Sequence, residues 1–372
     1  MPEKCQKIIN FIENFAPSPL AERWDNVGLQ IGDRDKAIHR VMVCLEVTDA
    51  VIDEAVSKNI DMIITHHPLI FKPVKSIRWD DPIGRMIQRL IRQDIVLYCV
   101  HTNLDVADGG TNDAIALALN MEEIKPLTNT YKEKFFKLAV FVPESHVEAV
   151  REAMCSAGAG HIGNYSHCTF QTLGIGTFQP LEGSNPFIGT RNTLERISEY
   201  KLETIVSHKM LHPTIEKMLK AHPYEEVAYD VFALENEVDA RGMGRIGVLR
   251  EPVKLSIFCE KIKSKLELQT IRIAGDANRF VRKIALCTGS GSEFIYDAYQ
   301  AGCDCYITGD VKYHDAQYAL QLGIAVIDAG HFETENFACK MIAQYLGEMA
   351  RQQKYDIEIM ESTAYINPFH VL

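Results

Sequence analysis

No stretch of the chain approaches ~18 uninterrupted apolar residues, so no segment reads as a transmembrane helix. A secretory leader is not expected either. Ile8, Ile9, Phe11, Ile12 and Phe15 recur at helical spacing, without the continuous apolar core and small-residue cleavage site of a signal peptide. Positive charge is not in excess: 50 acidic residues face 39 Lys plus Arg, a formal net charge of −11. A general nucleic-acid binder displaces counterions with a basic surface, so nucleic acid is not an expected partner. The P-loop pattern that cradles phosphate is missing, and Gly289-Ser-Gly291-Ser reads as a plain tight turn. There is no disulfide framework. The ten cysteines are scattered, and Cys44, Cys99, Cys287, Cys303 and Cys305 fall in apolar strand-like runs. They read as buried thiols in a reducing, cytoplasmic compartment, with Cys303 and Cys305 expected on one face of one strand. What remains is a globular composition, 47% hydrophobic and 24% charged. At 372 residues the chain suits two domains, or one large domain carrying an insertion.

Two distant segments share a pattern. The first is the apolar run from Arg40, a helical run from Asp49 to Asn59, Asp61-Met-Ile-Ile-Thr-His-His-Pro, a helix through Ile83–Ile91, and a strand from Ile95 to His101. The second is Arg282-Lys-Ile-Ala-Leu-Cys-Thr-Gly, a helix through Phe294–Ala301, Asp304-Cys-Tyr-Ile-Thr-Gly-Asp, a helix through Ala316–Leu322, and Ile324-Ala-Val-Ile-Asp-Ala-Gly-His. Continuous apolar strands alternating with helices indicate parallel strands buried on both faces. The expectation is an α/β fold with duplicated βαβαβ units, whose ligands gather beyond the carboxyl ends of the strands.

The stretch between them has another texture. It reads as strand (Phe136–Val142), helix (His146–Ala157), strand (Cys168–Phe178), helix (Asn192–Glu199), strand (Leu202–Ser207), helix (Pro213–Ala221) and strand (Val227–Ala233), with a loop over Gln179–Gly189. Strand–helix–strand twice over suggests an inserted ferredoxin-like α+β domain. Residues 1–130 and 238–372 would then form one discontinuous α/β domain, interrupted by 131–237.

The candidate chemistry lies at the strand ends. His66-His67-Pro68 closes an apolar strand, and two adjacent imidazoles can reach one centre only where the chain bends. His101-Thr-Asn-Leu-Asp105 closes another, offering a hard carboxylate ligand and an imidazole that either ligates or supports a ligand. Gly330-His331-x-x-x-Glu335 follows a third, its His and Glu sharing a helix face at a spacing of four. The same spacing at His208 and His212 in the insert is taken as chance. Together these residues make the mixed N/O set that Zn²⁺, Mn²⁺ or Fe²⁺ favours. Thr65, Asn103, Asp310 and His314 are candidate supporting or substrate-contacting residues. Trp24 is read first as a packing residue.

These motifs resemble the dinuclear metal-centre proteins known as GTP cyclohydrolase I type 2 homologues, the Ngg-interacting-factor-like or YbgI/YqfO type. Trp24-Asp-Asn-Val-Gly-Leu29 is a further signature of that family. The resemblance spans the entire chain. It implies metal ligands at His66, His67, Asp105, His331 and Glu335 with His101 close by, and a toroidal hexamer. It also implies that the insert, with Ala221-His-Pro-Tyr-Glu-Glu226, is a PII/CutA-like module. Glu46 departs from the pattern, which has Asp there.

The functional expectation is a hydrolase with two divalent ions per subunit, zinc foremost and manganese or iron next, acting on a small molecule such as a nucleotide. The competing expectation is a metal-binding regulator or scaffold whose insert takes an effector and which turns nothing over.

Overall fold

The structure is a computed structural model that describes residues 2–235, 240–364 and 366–370. The chain divides into two compact units, Met1–Tyr131 with Arg241–Leu372, and Lys132–Ala240. The return boundary expected at 237/238 lies outside the described residues.

The larger unit is built on two sheets. The first has five strands in the order Glu358–Glu361, Arg40–Cys44, Met62–Thr65, Val96–Cys99 and Gly28–Ile31. Its first four are mutually parallel, and only Gly28–Ile31 runs antiparallel. Helices Asp49–Ser57 and Pro82–Arg92 make the crossovers. Thr48 caps the first by accepting from the Val51 N–H, and Asp81 caps the second by accepting from Gly84, with Pro82 as the first helical residue. The second sheet repeats the plan with strands Phe280–Ser290, Cys305–Gly309 and Ala325–Asp328, joined through helices Ile295–Gln300 and Tyr313–Leu322. It is not wholly parallel. Arg272–Ala274 pairs antiparallel on one side, and Arg245–Lys254 and Glu122–Pro126 on the other.

Strand periodicity assigns the faces. Val41, Val43, Met62 and Ile64 of the first sheet join Ala285, Cys287, Tyr306 and Val326 of the second in one central apolar layer. The alternate residues Met42, Cys44, Ile63 and Leu97 pack outward on the crossover helices of the first sheet. Ile284, Leu286, Ile307 and Ile327 do the same beneath helix Leu255–Leu266. The amino-terminal helix Cys5–Phe15 buries Ile8, Ile9 and Ile12 in the central layer, as its spacing foretold. All ten cysteines are free, and all but Cys168 are buried. Cys303 and Cys305 do not share a face: Cys303 sits in the central layer and Cys305 in the outer one. The strand begins only at Cys305, and Cys303 still belongs to the turn that closes the preceding helix, its N–H bonded to the Ala298 carbonyl.

The smaller unit is a four-stranded antiparallel sheet in the order Thr169–Phe178, Glu195–Ser207, Phe135–Pro143, Tyr229–Leu234. Helices Val147–Ser156 and His208–Ala221 pack on one face around Leu138, Val140, Leu202 and Met218. The helix expected over Asn192–Glu199 is not there. A 13-residue strand starts at Glu195, paired on both sides, with the neighbouring strands taking its backbone donors and acceptors. Long-range pairing thus overrides the local helical spacing.

Candidate metal centre

Three parallel strands deliver imidazoles to one end of the larger unit. His66 and His67 leave Met62–Thr65 with their N–H groups still bonded to the Cys44 and Leu45 carbonyls, at 3.1 and 2.7 Å. Thr65 fixes this exit, its buried hydroxyl donating to the Leu45 and His67 carbonyls. His101 follows Val96–Cys99 and precedes the short helix Thr102–Val106, which carries Asp105. Asn103 ties that corner, accepting from the His101 N–H at 2.9 Å and donating to the Ala16 carbonyl at 2.7 Å. His331 and Glu335 stand on a helix that starts after Gly330, whose φ of +83° turns the chain out of strand Ala325–Asp328.

The donor atoms fall into three overlapping groups, each with all atoms within 4.8 Å of one another: His66, His67 and His101; His67, His331 and Glu335; His66, Asp105 and Glu335. Asp105 and His331, one from each half of the larger unit, belong to different groups joined through Glu335 and the His66–His67 pair. Glu335 Oε2 lies 2.7 Å from His67 Nε2 and 2.8 Å from His331 Nε2. His66 Nε2 lies 3.7 Å from Asp105 Oδ1 and 3.8 Å from Glu335 Oε1.

Three of the four rings are held by their other nitrogen. His66 Nδ1 donates to the Val100 carbonyl at 2.8 Å, His101 Nδ1 meets Asp25 Oδ1 at 2.9 Å, and His331 Nδ1 meets Asp310 Oδ2 at 2.7 Å. Oxygen acceptors on Nδ1 fix the proton there and leave the Nε2 lone pair facing the cluster, the tautomer a metal ligand needs. His66 Nε2 is buried and has no hydrogen-bond partner. A buried ring nitrogen set between two carboxylates, both too far for a hydrogen bond, leaves a polar atom without a direct partner in the chain. A cation would supply one, because ligands about 2.1 Å from a common ion stand roughly 3.4–4 Å from each other. The donor set therefore fits a divalent ion.

The electrostatics agree. Burial disfavours a charged His66, but the carboxylates of Asp105 and Glu335 outweigh it and hold its pKa at about 9. His331 is likewise about 9, burial being outweighed by Glu335 and Asp310. Burial raises the Asp105 carboxyl, while the three imidazoles around Glu335 overcome burial and hold it well below its usual range. Without a cation the cluster keeps protons that a cation would displace.

Of the supporting residues expected, Thr65 bonds the His67 carbonyl, Asn103 the His101 N–H and Asp310 the His331 ring. His314 is exposed on helix Tyr313–Leu322 with its ring against that of Tyr313, and it joins none of the donor groups among the described residues. Of the two residues expected at the exit of strand Cys305–Gly309, Asp310 contacts His331 and His314 contacts no donor. Sequence reasoning passed over Asp25 as a site residue. Burial would raise its carboxyl, yet His101 and the Thr102 hydroxyl and N–H bring it down to about 2. It lies in the quoted Trp24–Leu29 stretch but follows no strand, so position alone could not mark it. Thr111, which donates to Asp105 Oδ1, was passed over too. Gly289 carries a steric signal: at φ +64°, a Cβ there would lie 2.0 Å from Glu335 Oε1. The turn it opens is not a phosphate cradle, since the Gly289 and Gly291 N–H groups donate to the Thr334 and Thr308 hydroxyls.

Residues 3–368 match the family Duf34/NIF3 (NGG1p interacting factor 3). A Bacillus subtilis (strain 168) protein named GTP cyclohydrolase 1 type 2 homolog is 44% identical over 367 residues, covering 99% of this chain and 98% of that one. A Halalkalibacterium halodurans protein of the same name is 42% identical over 364 residues, covering 98% of both. Among solved structures, a Bacillus cereus protein related to NIF3 superimposes with a TM-score of 0.90 at 41% identity, over 100% of both chains. A Staphylococcus aureus protein superimposes with a TM-score of 0.83 at 29% identity, over 100% of this chain and 99% of that one. The chain belongs to the Duf34/NIF3 family.

Proposed function

We propose that this protein is a metal-dependent hydrolase that holds two divalent cations, zinc foremost, and acts on a nucleotide or a related small molecule. The observation that carries the reading is the orphaned His66 Nε2 between two carboxylates, beside rings whose Nδ1 atoms are already committed. His66, Asp105 and Glu335 would hold one ion, and His67, His331 and Glu335 the other, with His101 beside His66 and His67. Glu335 is the carboxylate common to both sets. Such a pair of cations, when bound, lowers the pKa of a water and polarises a substrate oxygen. The chain's part is to hold the rings still: Asp25 and the Val100 carbonyl fix His101 and His66, and Asp310 fixes His331. The names of the relatives support a nucleotide substrate.

We read Lys132–Ala240 as a ferredoxin-like module of the PII/CutA kind, on its strand order and two same-face helices. The free cysteines support a cytoplasmic setting; a hexameric ring is what the family resemblance implies. The test is turnover across a panel of nucleotides and phosphoesters with zinc, manganese or iron supplied, repeated with His66→Ala and Glu335→Ala. Metal-dependent turnover that both variants abolish with the fold intact supports the hydrolase. Absence of turnover on every compound, with the metals bound, would reject it.

A further inference from the structure

Trp24 and Phe71 are exposed, at 57% and 44%, yet neither sits on a loose segment. Trp24 precedes Asp25, whose carboxylate is fully buried and holds both His101 Nδ1 and the Thr102 N–H. Glu22, two residues earlier, donates its N–H to the Thr102 hydroxyl at 3.0 Å. Phe71 follows His67 by four residues. The two segments are laced together: Asn26 Nδ2 donates to the Ile70 carbonyl, the Ile70 N–H donates to Gln30 Oε1 at 3.1 Å, and Gln30 Nε2 donates to the Asn26 carbonyl at 2.9 Å.

The two rings meet edge to face with centroids 5.8 Å apart, and Trp24 meets the His101 ring at 6.1 Å, also edge to face. His101 is in turn 5.2 Å from the His66 ring and 5.6 Å from the His67 ring. The indole therefore stands one ring beyond the donor cluster, immobilised, with more than half its surface in water. Leaving a rigidly mounted indole uncovered forgoes its burial free energy, and a flat partner that arrives with the substrate would recover it. The chain neighbours Arg23 and Lys72 are exposed cations, in a protein of net charge −11. An exposed aromatic pair with cationic residues next to it in the chain suits a planar base that carries phosphate.

We propose that Trp24, with Phe71 against its edge, is the platform on which the purine base of a nucleotide substrate stacks beside the metal centre. This rests on the hydrolase reading above for the word substrate, while base stacking itself can be measured without turnover.

The chain has two tryptophans, Trp24 and Trp79, so Trp79→Phe leaves Trp24 as the sole indole reporter. Metal-loaded Trp79→Phe protein is titrated with GTP, with guanosine and with inorganic triphosphate. Quenching by the two purines and not by triphosphate is expected. In the native background, Trp24→Ala should weaken GTP binding about ten-fold or more, the size expected for loss of one base-stacking ring. Trp24→Phe should restore most of it, and both should keep wild-type metal content. If GTP is turned over, the loss should fall on KM with kcat nearly unchanged.

Purine quenching and Trp24-dependent binding without turnover would uphold the platform while removing the hydrolase reading. Turnover by Trp24→Ala at wild-type KM would overturn the platform and leave the hydrolase standing. No purine binding at all, or a Trp24→Ala protein that binds GTP normally but falls apart into smaller assemblies, would also overturn it, the latter assigning the indole to an interface between copies.

Discussion

The two βαβαβ halves of the larger unit share a strand plan but load their strand ends differently. In the first, the central strand Met62–Thr65 ends in two imidazoles, and the next strand ends in His101 and the helix bearing Asp105. In the second, the matching central strand Cys305–Gly309 ends in Asp310, which holds His331 Nδ1 and joins none of the donor groups among the described residues, and the next strand delivers His331 and Glu335. The first half supplies three imidazoles, of which His66 is fully buried. The second supplies the shared carboxylate Glu335 and a more open wall. Duplication set the scaffold, and asymmetric decoration of the strand ends made a single centre rather than two equivalent ones.

The largest effect should come from removing the residue on which the halves meet. Glu335→Ala takes a member from two of the three donor groups and should reduce bound metal to near zero by elemental analysis, with the circular dichroism spectrum retained. Gly289→Ala comes next. It adds a Cβ at a left-handed φ, at about 1–2 kcal/mol of backbone strain, and drives it 2.0 Å from Glu335 Oε1. Metal content and thermal midpoint should both fall, and unchanged metal content would show that Glu335 can move freely.

The two buttressing carboxylates compare the halves directly. Asp25 has a fully buried side chain and Asp310 one that is 49% exposed, so solvent competes for the second contact and not for the first. Asp25→Asn should weaken metal binding about ten- to a hundred-fold, the usual range for a ligand's supporting partner. Asp310→Asn should cost clearly less, measured by competition with a chromophoric chelator. The reverse order would mean that exposure does not set the strength of these supports. A smaller effect concerns protons. With His66 and His331 held at about 9 in the ion-free cluster, binding at neutral pH must displace protons, and apparent affinity should climb as pH rises toward 9. Calorimetry in buffers of different ionisation enthalpy reads that release. Smallest of all, His314→Ala should leave metal content unchanged.

Much of this was legible in the residues. Apolar runs marked the parallel strands because both faces of each are buried, and the abrupt change to His, Asp and Gly at their ends marked the site. Asp25 and Thr111 were not legible, since each acts across the fold on a residue brought near only by packing. Asp25 lies 76 residues from His101 in sequence. The helix foreseen over Asn192–Glu199 failed for a related reason: local spacing there allowed a helix, and pairing with two distant strands decided for a strand. The Cys303–Cys305 pair failed by register, the strand beginning two residues later than the apolar run suggested.

The central claim is that strand ends from both halves converge on the same cations. Anomalous scattering from crystals grown with zinc tests it most directly. Two peaks about 3.5–4 Å apart are expected, one against His66, Asp105 and Glu335 and the other against His67, His331 and Glu335. Peaks only at surface positions, with these side chains bound to nothing but each other, would contradict it.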